Sequence, residues 1–321
     1  MCSWPSAKNI TATLTCLRRR LANKPGLLVT GATGFVGRHL IALGCSRFDI
    51  VATGLGPKPD WLPENVAWHA ADLLDRISVS ALPDDLPFVI HLASETVPAK
   101  FANYDPLLDS VEMTLNLCRH LRSGRLLFAS SCLVYGASGA PMSEDAPLAP
   151  RGHYGLAKQL CETIVLRAAS GGGIAPAVAR PFNHIGTGMR PDLVIPSIVR
   201  RVREAREGAP IQMAGLDSVR DFLDVTDIVE GYFAILGLRS EERIFNVASG
   251  VPTSIGDIVR IVADILGKSI GEVVFADQGN SADDSSIVVG DSRKLRDAAG
   301  WAPHVTLRES LRRLIEDLPV Q

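Results

Sequence analysis

Three glycines in the run KPGLLVTGATGFVGRHLIALGC constrain the fold of this chain more than any other stretch. LLVT is an apolar run of strand length, Gly31, Gly34 and Gly37 follow at once, and FVGRHLIAL then carries apolar residues at helical spacing. A strand, a glycine turn and a helix in that order make a phosphate site. Gly31 permits the tight turn, Gly34 lets backbone N–H groups come close to a pyrophosphate, and Gly37 lets the helix lie against the strand with its positive dipole end at the anion. The spacing is G-x-x-G-x-x-G, which differs from the commoner G-x-G-x-x-G, and a glycine triplet alone is weak evidence.

The pattern of the next 150 residues strengthens it. Strand-like DIVATG, AWHA, FVIHLA, RLLFASS and IAPAVARPF alternate with helical patterns such as PLLDSVEMTLNLCRHLRS, which predicts an α/β fold: a doubly wound parallel sheet with helices on both faces. Ligands of such sheets gather at the carboxyl ends of the strands. After Arg180 the pattern turns irregular, with Pro181, Gly186, Gly188, Pro191 and Pro196 marking loops. The expected organisation is an N-terminal extension over 1–25, a dinucleotide-binding domain over 26–181 plus 220–249, and a smaller C-terminal substrate lobe over 182–219 plus 250–321.

Composition narrows the function classes. A chain of 321 residues with 46% hydrophobic content can bury a large core, and a net charge of −2 leaves no basic excess for nucleic acid. Arg200 and Arg201 read as a solvated helix face. Cysteines 2, 16, 45, 118, 132 and 161 form no C-x-x-C and no zinc spacing with histidine, so they read as small buried residues in a reducing compartment and no metal is expected. The Arg18–Arg20 cluster follows a weakly apolar stretch instead of preceding it, unlike a secretory signal, and no apolar run reaches a membrane span. The expected location is cytoplasmic.

Tyr154 and Lys158 stand four apart in HYGLAKQLCE, so on a helix they share one face. A phenol titrates at about 10, and a fixed cation nearby favours the phenolate. Lowering it to near neutrality takes about 3 pH units, roughly 4 kcal/mol, which one desolvated ammonium can supply with help from a nicotinamide charge. Ser131, in LLFASSCLVYG, adds a hydroxyl donor to the same carbonyl oxygen. The pair alone is common on amphipathic helices; the glycine turn 120 residues upstream gives it chemical meaning.

From Leu27 onward the chain resembles the extended short-chain dehydrogenases/reductases of the nucleotide-sugar epimerase/dehydratase group. The resemblance rests on TGATGFVG, ADLL at 71–74, HLAS at 91–94, SSCLVYG at 130–136, YGLAK at 154–158, RPFNHIG at 180–186, RDFLDVTDI at 220–228 and VGDSRKLRDAAGWAP at 289–303. RPFNHIG followed by RDFLDVTDI is most similar to the GDP-4-keto-6-deoxy-mannose reductases. The resemblance implies catalysis by Ser131, Tyr154 and Lys158. It implies cofactor contacts from Gly31, Thr33, Gly34, Phe35, Val36, Gly37, Arg38, Lys58, Asp72, Leu73, Leu92, Ala93, Ser94 and Pro181, with Tyr154 and Lys158. Substrate contacts would come from Ser131, Cys132, Asn183, Arg190 and Arg220, the last gripping a diphosphate. Plainer roles stand beside these: a strand-end turn for Asp72, a satisfied structural histidine at His91, a turn at Asn183, a salt bridge from Arg220 to Asp221 or Asp224, and helix capping by Asp224 and Asp227. Cys132 lacks an evident base and reads as a buried strand residue rather than a nucleophile.

Departures from the family pattern carry information. At the end of the second strand Thr53, Gly54 and Leu55 stand where an NAD-selective member has an acid, so NADP(H) is preferred, with Arg38 or Lys58 facing a 2′-phosphate and NAD(H) still possible. Ser110 and Met113 replace the usual Asn and Gly of the following helix. Cys132 and Leu133 occupy the place of a dehydratase's acid/base carboxylate, which disfavours dehydration. What remains is reduction of the 4-keto group of a nucleotide-linked 6-deoxyhexose, with a 4-epimerase that retains NAD as the alternative and a non-catalytic dinucleotide-binding partner protein as a reading from another class. A homodimer through PLLDSVEMTLNLCRHL (106–121) and YGLAKQLCETIVLRAA (154–169) is expected, with no nucleic acid and no membrane as partner.

Overall fold

The computed structural model describes residues 24–136, 138–169, 172–213, 215–275 and 287–319; the expected extension over 1–25 falls almost wholly outside them. The chain runs β1 (Gly26–Thr30), α1 (Phe35–Gly44), β2 (Asp49–Gly54), β3 (Ala67–Ala70), α2 (Arg76–Val79), β4 (Phe88–His91), α3 (Asp105–His120), β5 (Gly124–Ala129), α4 (Gly152–Ala168) and β6 (Ile174–Pro181). It continues through β7 (Asn183–Ile185), α5 (Val194–Glu204), β8 (Ile211–Met213), β9 (Val219–Asp224), α6 (Val225–Gly237), β10 (Ile244–Val247), β11 (Pro252–Ser254) and α7 (Ile255–Ile265). The last elements are β12 (Val273–Phe275), β13 (Ile287–Val288), α8 (Arg293–Ala299) and α9 (Leu307–Asp317).

Seven strands form one sheet in the order β10-β6-β5-β4-β1-β2-β3, and every pairing in it is parallel. The α/β expectation is met. Successive residues of β1 explain the two layers: Leu27 and Val29 join one core with Leu40 and Ile41 of α1 and Val229 of α6, whereas Leu28 joins another with Leu117 of α3 and Val165 of α4. A strand buried on both faces reads as a continuous apolar run, which is why LLVT was recognisable. Strand order reverses between β1 and β4, so a crevice opens at their carboxyl ends.

A separate core gathers Ile198 and Val202 of α5, Ile258 and Val262 of α7, and Leu311 and Leu314 of α9. Beside it β9 pairs with β7, β11 and β13 in a small mixed sheet. Two details differ from the simple division by sequence range. β9 belongs to this small sheet, and Val288, Leu295 and Trp301 pack into the larger core because α8 returns against β10 and α6. Among the described residues, no helix is long and apolar enough to cross a membrane, and no cluster of His, Cys, Asp or Glu is arranged to hold a metal.

Candidate active site

The glycine turn is built by close approach. Gly31 has φ +66°, a left-handed conformation that strains other residues, and a Cβ there would lie 2.7 Å from the Ala93 nitrogen. A Cβ on Gly37 would lie 2.5 Å from the Gly31 carbonyl oxygen, so α1 can start this close to β1 only with glycine. Gly34 caps α1 with no side-chain hydrogen bond, and the first turn carries no acid. The free N–H groups and positive end of α1 are therefore left facing the crevice, with Leu92 and Ala93 after β4 packed closely on Gly31.

At the end of β2, Thr53 is buried with a hydroxyl that has no hydrogen-bond partner among the described residues. Gly54 lies between Trp68, whose ring tip would be 3.0 Å from a Cβ, and Thr33. These features fit a dinucleotide: a cradle only glycine leaves open, an unanswered buried hydroxyl and an anion-seeking helix end. Arg38 leans over this edge, its Nε donating to the Thr33 carbonyl at 3.2 Å. Lys58 does not join it. Its ammonium points toward the Val66 carbonyl at 3.4 Å, at the amino end of β3. The sequence placed Lys58 near the β2 terminus, but the loop folds back and carries it to the other end of the neighbouring strand.

Asp72 forms the strand-end turn, one oxygen accepting from the Leu74 N–H at 2.9 Å, while Leu73 is buried beside Val79 and Leu82. His91 is fully buried: Nδ1 lies 2.7 Å from the Thr30 hydroxyl and Nε2 lies 3.1 Å from that of Thr114. Burial first, and the Lys158 charge second, pull its pKa down to about 3. Thr114 spends its own proton on the Ser110 carbonyl, so the neutral ring with a proton on Nε2 satisfies every partner. His91 is a structural histidine, as its plainer reading held. Ser110, one of the departures noted in the sequence, thereby helps to seat it.

At the carboxyl end of β5, Ser131 caps a short 3₁₀ turn over 132–134 through a hydrogen bond from the Leu133 N–H at 3.1 Å. α4 brings Tyr154 and Lys158 to the same place. The Tyr154 ring meets Phe101 edge to face, with centroids 5.4 Å apart, and the Lys158 ammonium lies 5.6 Å from the Tyr154 ring centre. Lys158 is buried and donates to the Ala129 carbonyl at 2.9 Å; burial lowers its pKa to about 8. Burial pushes the Tyr154 phenol above its ordinary value, helped by Cys132 and opposed by a hydrogen bond with Ser131. Cys132 is packed in the core, and burial raises its thiol to about 12, so it is no nucleophile.

On the lobe side, Asn183 begins β7 and donates to the Asp221 carbonyl at 3.2 Å, and Arg190 pairs with Asp192 at 3.2 Å. Arg220 donates to the Val219 carbonyl at 3.0 Å. Its two proposed carboxylate partners are held by other groups. Asp221 accepts from Ser249, Gly250 and Gly290, while Asp224 accepts from Thr226 at the start of α6 and from Ser310. Asp224 thus caps α6, but Asp227 instead ties down the C-terminal loop through the His304 and Val305 N–H groups.

One constellation escaped the sequence reading. Glu162, a further turn along α4 from Lys158, accepts from Arg180 Nε at 2.9 Å and Nη2 at 2.7 Å, and also from the Ser130 hydroxyl. Arg180 Nη1 reaches the Tyr135 hydroxyl at 2.8 Å, which donates to Asn246 on β10. The i, i+4 step from Lys158 to Glu162 was its only signal in sequence.

A crevice-facing glycine turn at a reversal of strand order, with Ser, Tyr and Lys gathered beyond the next strands, defines a dinucleotide-dependent α/β enzyme site. The NAD dependent epimerase/dehydratase family model matches residues 27–248, and the chain belongs to that family. It is 34% identical to GDP-6-deoxy-D-mannose reductase of Pseudomonas aeruginosa over 91% of this chain and 96% of the relative. The solved structure of RMD from Pseudomonas aeruginosa complexed with NADPH aligns with TM-score 0.77 at 32% identity, covering 92% of this chain and 98% of that one. MoeE5 in complex with UDP-glucuronic acid and NAD aligns with TM-score 0.76 at 26% identity, covering 91% and 98%. The site accordingly suits a nicotinamide dinucleotide.

Proposed function

We propose that the protein reduces the 4-keto group of a nucleotide-linked 4-keto-6-deoxyhexose in deoxysugar biosynthesis, with NADP(H) preferred over NAD(H). The observation that carries this reading is RPFNHIG at 180–186 together with a β2 end, Thr53, Gly54 and Leu55, that offers no acid to the ribose, beside a site where Ser131, Tyr154 and Lys158 come together. A bound nicotinamide cofactor supplies the hydride. Tyr154 delivers the proton to the carbonyl oxygen, Ser131 polarises that oxygen by donating a hydrogen bond, and Lys158 holds positive charge beside both. The names of the relatives point the same way, since the Pseudomonas aeruginosa protein is a GDP-6-deoxy-D-mannose reductase. Cys132 and Leu133 supply no second acid/base group for dehydration.

Asn183 and Arg190, in a lobe formed by 182–219 and 250–321, and Arg220 on β9 beside it form the substrate side, with the Arg220 fork on the diphosphate. Exposed Leu108 on α3 and Leu160 on α4 favour a homodimer through these helices. The free cysteines among the described residues suit the cytoplasm. The test is incubation with NADPH and a panel of GDP-, dTDP-, UDP- and CDP-4-keto-6-deoxy sugars, following loss of reduced nicotinamide absorbance and identifying the product by NMR. The expected result is stoichiometric oxidation of NADPH with one 4-hydroxy product. Inertness toward the whole panel, with interconversion of a nucleotide hexose at catalytic cofactor, would move the assignment to a 4-epimerase.

A further inference from the structure

Arg38 stands where a cation is least at home. It lies in the first turn of α1, at the positive end of the helix, with no acid in that turn and no ion pair among the described residues. Two contacts hold it there: Nε bonds the Thr33 carbonyl at 3.2 Å, and the guanidinium carbon lies 4.9 Å above the ring of Trp61. A guanidinium tethered at Nε and stacked on one face keeps its two terminal nitrogens, the pair that grips a phosphate bidentately.

Trp61 belongs to the loop between β2 and β3, the same loop that turns Lys58 away toward Val66. The other wall of the β2 end is Trp68, which donates to the Gly56 carbonyl at 3.2 Å and floors Gly54. Between these walls Thr53, Gly54 and Leu55 place no carboxylate, and Thr53 holds an unanswered buried hydroxyl. Among the described residues, this edge therefore has a stationed guanidinium, no carboxylate from the β2 end itself and a flat aromatic support.

We infer that Trp61 is a specificity-determining residue, which holds the Arg38 guanidinium in place to receive the 2′-phosphate of NADP(H). This rests on the NADP(H) preference proposed above and names the residue that would enforce it. Trp61 need not touch the cofactor; it acts through Arg38, whose side chain would otherwise have to be ordered at the moment of binding. Trp61 is itself 38% exposed in a loop, so replacing it leaves the core intact.

The experiment measures dissociation constants of the full chain for NADPH and NADH by reduced-nicotinamide fluorescence, and for 2′,5′-ADP by calorimetry, with the melting temperature of each variant without cofactor. Trp61→Ala should weaken NADPH and 2′,5′-ADP about fivefold, in keeping with loss of an exposed cation–π contact and of pre-organisation, and leave NADH nearly unchanged. Trp61→Phe should recover most of the loss. Arg38→Ala should weaken NADPH by about tenfold or more, and adding Trp61→Ala to it should cost nothing further. Equal weakening of NADPH and NADH by Trp61→Ala would overturn the inference and leave Trp61 a packing residue, as would unchanged NADPH affinity. Wild-type protein that binds NADPH no more tightly than NADH would instead remove the cofactor preference itself, a failure visible before any variant is made.

Discussion

Replacing Glu162 by Gln tests whether the buried network behind the site holds it in shape. The side chains of Glu162 and Arg180 are 4% and 2% exposed, so neither charge has recourse to water. The carboxylate accepts two hydrogen bonds from Arg180 and one from Ser130. A Gln amide has the same shape, and its oxygen can keep the Ser130 and Nε contacts. Its NH2 group then faces Arg180 Nη2, donor against donor, and the guanidinium is left buried without its counter-charge. Breaking one partner of a buried ion pair costs about 3–5 kcal/mol. Against a total stability of about 5–15 kcal/mol, that is a large fraction. Urea denaturation should show the midpoint fall with the slope unchanged, and Glu162→Gln with Arg180→Met should cost less than the sum of the two single changes. Glu162 also supports the charge on Lys158, so the lysine should titrate lower in the variant and the pH profile of turnover should shift with it. A loss below about 1 kcal/mol, in the range of exposed pairs, would refute the reasoning, because it would mean that water reaches Arg180.

Three further outcomes are expected. Tyr154→Phe keeps the ring against Phe101 but removes the proton, so the chemical step should fall by about 10²–10⁴-fold with cofactor affinity nearly unchanged; a loss under about tenfold in single-turnover kinetics would remove Tyr154 from the acid's role. Gly37→Ala forces a Cβ into the Gly31 and Ala32 carbonyls, so calorimetry should find dinucleotide binding weakened far more than Gly56→Ala weakens it, although φ is positive at Gly56, since that position has open space. His91 titrates at about 3 when folded against 6.5 for a free ring, so the unfolded chain binds the extra proton between those values. Its contribution is complete above the higher value and is lost as pH falls toward the lower, at up to about 1.4 kcal/mol per pH unit, and His91→Gln should flatten that part of the stability profile in urea titrations.

Much of the architecture was legible in the residues because it is local and periodic. LLVT, DIVATG and RLLFASS are apolar runs of strand length, the glycine turn has a steric meaning wherever a helix follows a strand, and the four-residue step from Tyr154 to Lys158 places both on one helix face. The alternation of these elements also determined the parallel sheet, since right-handed crossovers leave few other arrangements. Only the tertiary structure decided where the long side chains point. Arg38 and Lys58 were equal candidates along the chain, yet a loop fold sends one over Trp61 and the other to Val66. The helix step placed Lys158 on the face of Tyr154, but only the packing of α4 against β5 gave its ammonium the Ala129 carbonyl as a partner. The Glu162–Arg180–Tyr135–Asn246 network joins residues 18 to 111 positions apart, and no local period records such contacts. Backbone periodicity is written in neighbouring residues, whereas the charge a side chain meets depends on which distant segments fold against it.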